Sequence, residues 1–119
     1  MEYEFTIIVP LYNEQENLLR VEKELAKYLN IATKKSCILF VDDGSQDNSL
    51  ALVKEICKRQ TAFHYISFEK NQGLSAAIKA GFDYAATAYI GYIDSDLQTD
   101  PEDFNLLLDK IEDYELVTG

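Results

Sequence analysis

The chain has 119 residues, with 21 acidic and 11 basic side chains and a formal net charge of −10. This charge argues against nucleic acid or an anionic membrane surface as the main partner, because both require basic patches. No apolar run approaches the about 20 residues of a membrane-spanning helix, and the 47% of hydrophobic residues fits one folded domain or part of one. Two cysteines are too few for a disulfide framework, so we predict reduced, buried thiols in a cytoplasmic protein.

Short apolar runs alternate with segments of helical periodicity along the chain. Continuous β-branched runs are typical of strands buried on both faces of a parallel sheet. The predicted strands are 3–10, 36–42, 63–68 and 88–94. Asn13 is predicted to cap the first helix, with Glu16 as its capping partner. Three further helices are expected, and the third, about 73–86, has a predicted apolar stripe of Leu74, Ile78, Phe82 and Ala85.

This alternation predicts an α/β fold of three layers, with helices on both faces of a mostly parallel sheet. We predict the strand order 3-2-1-4, in which the order reverses between the first and fourth strands. A fifth strand begins at 115–118, just before the last residue. We therefore expect the fold to be truncated and the chain to be a part of a longer protein.

Polar residues collect where the predicted strands end, which is where open α/β sheets bind ligands. Asp94 and Asp96 follow the fourth strand. In an extended turn, residues i and i+2 can face one side, so these two carboxylates can share a Mg²⁺ or Mn²⁺ ion, with Gln98 adding an oxygen. The alternative is that these residues only form the turn and cap the next helix.

Two other strand ends carry candidate ligand-binding residues. Asp42 and Asp43 can accept hydrogen bonds from a base or ribose, or bind a metal; alternatively, they form a tight turn that caps the second helix. Gly73 opens the third helix, where it can admit an anion or serve as an ordinary turn residue. Lys70 and Lys79 are the cations nearest this helix, and each can balance a diphosphate or simply be solvated.

Several common active sites are excluded by the residues present. His64 is the sole histidine and lies inside a predicted strand, so we predict a structural role for it. No combination of serine, cysteine and histidine suggests a covalent triad. The G-x-G-x-x-G dinucleotide fingerprint and the P-loop pattern are both absent.

In four consecutive motifs the chain resembles family 2 glycosyltransferases: VPLYNE (9–14), VDDGSQDNS (41–49), NQGLSAAIKAGFDYA (71–85) and DSDLQTDPED (94–103). The last motif is most similar to the subgroup of dolichol-phosphate mannosyltransferases and bacterial polyprenyl-phosphate glycosyltransferases. The resemblance implies a Rossmann-like GT-A fold. It also implies that residues 1–119 are the nucleotide-sugar-binding (donor) part, with the acceptor-binding part beyond them.

The resemblance also implies roles for individual residues. Asp42 would contact the base with Asp43 beside it, and Asp96 would bind the metal with help from Gln98. Asp94 and Asp96 are accordingly the expected catalytic residues. Lys70 and Lys79 stand where similar proteins often carry arginine. The expected donor-binding set is Pro10, Leu11, Tyr12, Glu14, Asp42, Asp43, Lys70, Gly73, Lys79, Asp94 and Ser95.

The implied reaction is a metal-dependent, inverting transfer of a sugar from a UDP- or GDP-linked donor to an acceptor. The acceptor would be a lipid phosphate such as polyprenyl phosphate, or a sugar, and the full-length protein would associate with the cytoplasmic face of a membrane. Residues 1–119 alone would have weak or no activity. Apolar surface left exposed by the missing part would favour a homodimer.

Three alternatives belong to other classes. A phospho-acceptor receiver domain needs an acidic pair after its first strand, where this chain has Pro-Leu-Tyr-Asn. A nucleotidyltransferase usually has a glycine-rich basic loop at that point, which is also absent. A non-catalytic nucleotide-sugar-binding fragment stays open.

Overall fold

The computed structural model describes residues 3–32 and 34–93. Within them, strands and helices alternate as predicted. The strands are β1 Phe5–Leu11, β2 Ser36–Asp42, β3 Phe63–Ser67 and β4 Tyr89–Tyr92. The helices are α1 Leu18–Ile31, α2 Ser49–Arg59 and α3 Leu74–Tyr84. The predicted helix and strand after residue 93 lie outside the described residues.

The strands form one parallel sheet in the order β3-β2-β1-β4, which confirms the predicted order. β1 lies at the centre, where Phe5 pairs with Ser36 of β2 on one side and with Tyr89 of β4 on the other. The order therefore reverses between β1 and β4, and β2 lies on the other side of β1.

Apolar side chains fill both faces of the sheet because successive strand residues point to opposite sides. On one face, alternate residues of β1 and β2 pack with α1 and α2 around Tyr28 and Ile56. On the other face, Ile8, Leu39 and Val41 pack with Ala77 of α3. The three-layer arrangement is confirmed.

Helix α3 lies on the sheet through its smallest residues. Ala77 and Gly81 are its buried positions, whereas Leu74 is exposed. The predicted apolar stripe was therefore wrong at Leu74, although Phe82 and Ala85 do pack partly against the core. Small side chains allow the helix backbone to come close to β1. This close packing determines which face of α3 lies against the sheet.

Helix α1 begins later than predicted. Its first residue is Leu18 and its N-cap position is Asn17, so the prediction of Asn13 as N-cap was wrong. Asn13 has a left-handed backbone, with φ 52°. Its side-chain Oδ1 accepts hydrogen bonds from the backbone amides of Gln46 (2.9 Å) and Asp47 (3.3 Å). Asn13 thus connects two loops instead of capping a helix.

Both cysteines are free thiols. Cys37 is buried as predicted, whereas Cys57 is only half-buried. Among residues 3–32 and 34–93, no helix is long and apolar enough to cross a membrane.

Candidate functional site

The loops that follow β1, β2 and β3 meet at one edge of the sheet, because parallel strands end on the same side. The amide of Asp43 donates to the Leu11 carbonyl (2.9 Å), and the amide of Phe68 donates to the Asp42 carbonyl (2.9 Å). The structure therefore brings together the predicted site residues of three strand ends.

Side chains of the second loop hold the first loop in place. The amide of Asn13 donates to Ser45 Oγ (2.9 Å), and the amide of Glu14 donates to Ser49 Oγ (2.8 Å). Ser49 is fully buried at the first turn of α2. Sequence reasoning missed these serines, since each contact joins residues more than thirty positions apart.

Asp42, the predicted base contact, is 1% exposed at the end of β2. Its Oδ1 accepts a hydrogen bond from the Ser45 amide (3.3 Å), and its Oδ2 accepts one from the Ser67 hydroxyl (3.1 Å). A carboxylate has about four acceptor positions, so these two bonds leave it able to accept more. The bonds also fix its orientation beside the strand ends.

Asp43 points to a different part of the molecule. Its carboxylate is 5% exposed. It accepts hydrogen bonds from Asn71 Nδ2 (3.0 Å), the Gln72 amide (2.6 Å) and the Gly73 amide (2.9 Å). The alternative interpretation, in which this turn caps the second helix, was wrong, because the N-cap of α2 is Asn48 and Asp43 instead binds the residues just before α3.

Two glycines shape the contact between the second and third loops. Gly44 has φ 71°, and a Cβ atom on it would lie 2.5 Å from both the Asn71 nitrogen and the Lys70 carbonyl carbon. Only glycine allows that approach. Gly73 has φ 99° and immediately precedes α3, but open space surrounds it.

The other predicted donor-binding residues differ in burial and in position. Pro10 and Leu11 are buried in β1, whereas Tyr12 is 41% exposed just beyond it and Glu14 is half-buried. Lys79 lies about 9 Å along α3 from Gly73. Its ammonium is 2.8 Å from Asp83, and this hydrogen bond raises the pKa of Lys79. Lys79 also lines a cavity of about 540 Å³ together with Phe82 of α3 and Tyr92 at the end of β4.

The predicted catalytic and metal-binding residues Asp94, Ser95, Asp96 and Gln98 lie outside the described residues. Ile93 lies immediately before them, and its amide donates a hydrogen bond to the Ile8 carbonyl of β1 (3.0 Å). Within the described part of the chain, no group of three His, Cys, Asp or Glu side chains is arranged to hold a metal. The donor set itself, two carboxylates and an amide oxygen, is of the kind that Mg²⁺ and Mn²⁺ prefer.

The three described loops, 12–17, 43–48 and 68–73, are strongly acidic. Their acidic residues are Glu14, Glu16, Asp43, Asp47 and Glu69. Lys70 is the single cation in these three loops. A diphosphate bound at this edge would need further positive charge, since like charges repel.

A cavity of about 470 Å³ lies away from this edge, near the beginnings of the strands. Thr6, Cys37 and His64 line it. The His64 ring packs edge-on against Tyr3, with 6.3 Å between ring centroids. His64 is thus remote from the loops that join the strand ends.

Residues 6–119 match the model of glycosyl transferase family 2. The chain belongs to this family. It is 40% identical over 111 residues to an uncharacterized protein of Methanocaldococcus jannaschii, covering 89% of this chain and 46% of that protein. It is 35% identical over 111 residues to the uncharacterized glycosyltransferase YkcC of Bacillus subtilis, covering 93% and 33%. The family 2 chain thus spans between a third and a half of the length of these curated relatives.

Solved glycosyltransferases share the fold. The mannosyltransferase PcManGT from Pyrobaculum calidifontis, in complex with GDP-Man and Mn²⁺, matches with a TM-score of 0.69 and 19% identity over 81% of this chain and 28% of that one. TarS from S. aureus matches with a TM-score of 0.73 and 22% identity over 92% and 20%. These likenesses confirm the predicted GT-A fold. The dolichol-phosphate mannosyltransferase subgroup stays a prediction.

Proposed function

We propose that this family 2 chain binds the nucleoside diphosphate of a sugar donor at the edge where β1 and β2 end. The observation that supports this most directly is the position of Asp42. It is buried and oriented by Ser45 and Ser67 at the end of β2, one strand away from the reversal of strand order between β1 and β4. Ligands of open α/β sheets bind outside the carboxyl ends of the strands near such a reversal, and a fixed carboxylate at this edge is suited to accept the N–H groups of a base.

The proposed donor is a UDP- or GDP-linked sugar. PcManGT was solved with GDP-Man, and TarS was solved with UDP and with UDP-GlcNAc. These nucleotides are therefore the natural probes for this chain. Tyr12, exposed beside Asp42, and Glu14 would border the nucleotide.

We further propose that Asp96, with Gln98, holds a Mg²⁺ or Mn²⁺ ion. When bound, the ion would stabilise negative charge on the departing nucleoside diphosphate. Asp94 and Ser95 would lie near the ribose and diphosphate. The acidic character of the neighbouring loops supports this assignment, because Lys70 alone cannot balance both those carboxylates and a diphosphate.

The proposed reaction transfers the sugar with inversion to an acceptor held by a part of the protein beyond residues 1–119. A polyprenyl phosphate is the proposed acceptor, with a sugar hydroxyl as the alternative. A phosphate oxygen is already anionic and needs no general base, whereas a hydroxyl must lose its proton. With a lipid acceptor, the whole protein would work at the cytoplasmic face of a membrane.

Thermal unfolding with UDP, GDP, UDP-GlcNAc and GDP-Man, each with and without Mn²⁺ or Mg²⁺, tests this proposal. A ligand at one hundred times its Kd raises the stability of the folded form by about 2.7 kcal/mol. We expect a metal-dependent rise for one nucleotide that is lost in Asp96→Ala and kept in Glu55→Ala, which changes an exposed carboxylate on α2. No rise with any of the four ligands would contradict donor binding.

A further inference from the structure

We infer that Asp43 is a positioning residue, which fixes the loop that carries Lys70 instead of binding the nucleotide itself. The inference rests on the proposed function, and it replaces the prediction that Asp43 is a donor ligand. It also concerns how Lys70, the single cation in the described loops after β1, β2 and β3, is kept at the same edge as Asp42.

The hydrogen bonds of the Asp43 carboxylate are all directed at residues 71–73. Both carboxylate oxygens are engaged: Oδ1 accepts from Gln72, and Oδ2 accepts from Asn71 and Gly73. Asn71 Nδ2 also lies 3.3 Å from the backbone carbonyl of Asp43. Three donors hold this carboxylate firmly and fill three of its about four acceptor positions, whereas the Asp42 carboxylate accepts two hydrogen bonds.

The amide of Gly73, the N-cap residue of α3, is consequently already bonded to an anion. Free amides at a helix N-terminus attract phosphates, and that was one interpretation of Gly73. Here the Gln72 and Gly73 amides donate to the protein's own carboxylate, whose negative charge opposes that of a phosphate. A diphosphate at this edge therefore needs another positive group.

Lys70 is that group in the described loops after β1, β2 and β3. It directly precedes Asn71, and its carbonyl carbon lies against Gly44, next to Asp43 in sequence. Hydrogen bonds to Asp43 hold residues 71–73, and Gly44 packs against the backbone of Lys70 and Asn71. Together these contacts leave the Lys70 backbone little freedom. Asp43 would thus act on the donor through Lys70.

A double-mutant cycle on nucleotide binding separates positioning from direct contact, because residues that act through one contact do not give additive effects. The variants are Asp43→Asn, Lys70→Ala and their combination, with Glu55→Gln as the acid-to-amide control on an exposed site of α2. Affinity for UDP and for GDP is measured by calorimetry with Mn²⁺ present. Circular dichroism is used to confirm that each variant is folded.

We expect each single change to weaken the affinity about tenfold and the combination to weaken it no further. Glu55→Gln should leave the affinity unchanged. In the absence of nucleotide, amide hydrogen exchange at Gln72 and Gly73 should speed up in Asp43→Asn and not in Lys70→Ala. If Asp43→Asn fails to fold, Asn71→Ala removes one of the three bonds and should weaken the affinity about threefold, again only while Lys70 is present.

Two results would contradict the inferred role of Asp43 and leave the proposed function intact. One is a roughly hundredfold loss in the combined variant, which would mean that Asp43 contacts the nucleotide independently of Lys70. The other is an unchanged affinity in a folded Asp43→Asn chain. A wild-type chain that binds neither UDP nor GDP would instead contradict the proposed function, and the inference with it.

Discussion

Gly81 of α3 lies against Ile8 of β1, with no room for a methyl group between them. A Cβ atom on Gly81 would be 2.7 Å from Ile8 Cδ1 and 2.8 Å from Ile8 Cγ2. Both residues are buried in the layer between α3 and the sheet. The helix therefore packs on the central strand through its backbone.

We predict that Gly81→Ala destabilises the protein by up to about 2 kcal/mol. Overpacking costs about 1–3 kcal/mol, and the about 1 kcal/mol that alanine gains in helix propensity offsets part of this cost. Chemical denaturation measures the difference. Ser75→Ala, at an exposed position of the same helix, is the control and should be neutral or slightly stabilising. A stabilised Gly81→Ala would show that α3 and β1 can move apart without loss of stability.

The face of α3 shows where sequence reasoning stops. Its apolar residues are spread around the helix, so periodicity places a stripe but does not say that Ala77 and Gly81 lie nearest the sheet. The order of the strands was predictable because alternating βαβ units with right-handed connections leave few arrangements. How closely two layers approach depends on which of the side chains between them are small. Only the packing of the folded protein shows which residues those are.

The candidate site shows the same division. That Asp42 and Asp43 lie at a strand end could be predicted from the apolar run before them. Their separate directions, toward Ser67 and toward the start of α3, could not, because they depend on loops more than twenty residues away. Asp96 stays a prediction from the sequence, since it lies outside the described residues.

The two strand-end glycines should differ in their tolerance of alanine. Gly44→Ala combines a left-handed backbone with contacts of 2.5 Å to backbone atoms, whereas Gly73→Ala has only the backbone strain. We expect Gly73→Ala to cost about 1–3 kcal/mol and Gly44→Ala to cost more or to prevent folding. Equilibrium denaturation of both variants tests this order, and equal losses would mean that the Lys70–Asn71 backbone moves aside easily.

The link between α1 and α2 should make stability depend on pH. Glu22 of α1 accepts hydrogen bonds from Arg59 Nε (2.8 Å) and Gln60 Nε2 (2.9 Å). The Arg59 hydrogen bond, opposed by burial, holds the pKa of Glu22 below its ordinary value near 4.5. A lowered pKa in the folded state stabilises the protein above the ordinary value, and this contribution is lost as the pH falls through the folded-state pKa.

Glu22→Gln should therefore reduce stability by about 1–2 kcal/mol at pH 7, a value discounted because Arg59 is about half exposed. The difference from wild type should shrink below the lowered pKa, where Glu22 is also neutral. Glu55→Gln, in an exposed pair with Lys58, is the control and should change stability by less than about 0.5 kcal/mol. A loss that stays constant down to pH 3 would argue against an ionic contribution.

The thiols should react slowly in the folded protein. Burial raises the pKa of Cys57 to about 11, from an ordinary value of 9.0, and also raises the pKa of Cys37. Because the thiolate is the reactive form, Cys57 should be labelled about a hundredfold more slowly than a free thiol at pH 8. Labelling of Cys37→Ser isolates Cys57, and unfolding in denaturant should remove the difference; rapid labelling of the folded variant would contradict it.

The central position of β1 also bears on how the chain folds during synthesis. β1 is the first strand made, yet its partner β4 is more than eighty residues further along, as the pairing of Phe5 with Tyr89 shows. Long-range parallel pairing is slow to form. While the ribosome completes the intervening segment, one side of β1 has only solvent or another chain to pair with. The middle of this four-stranded sheet is thus its exposed border until β4 has been made.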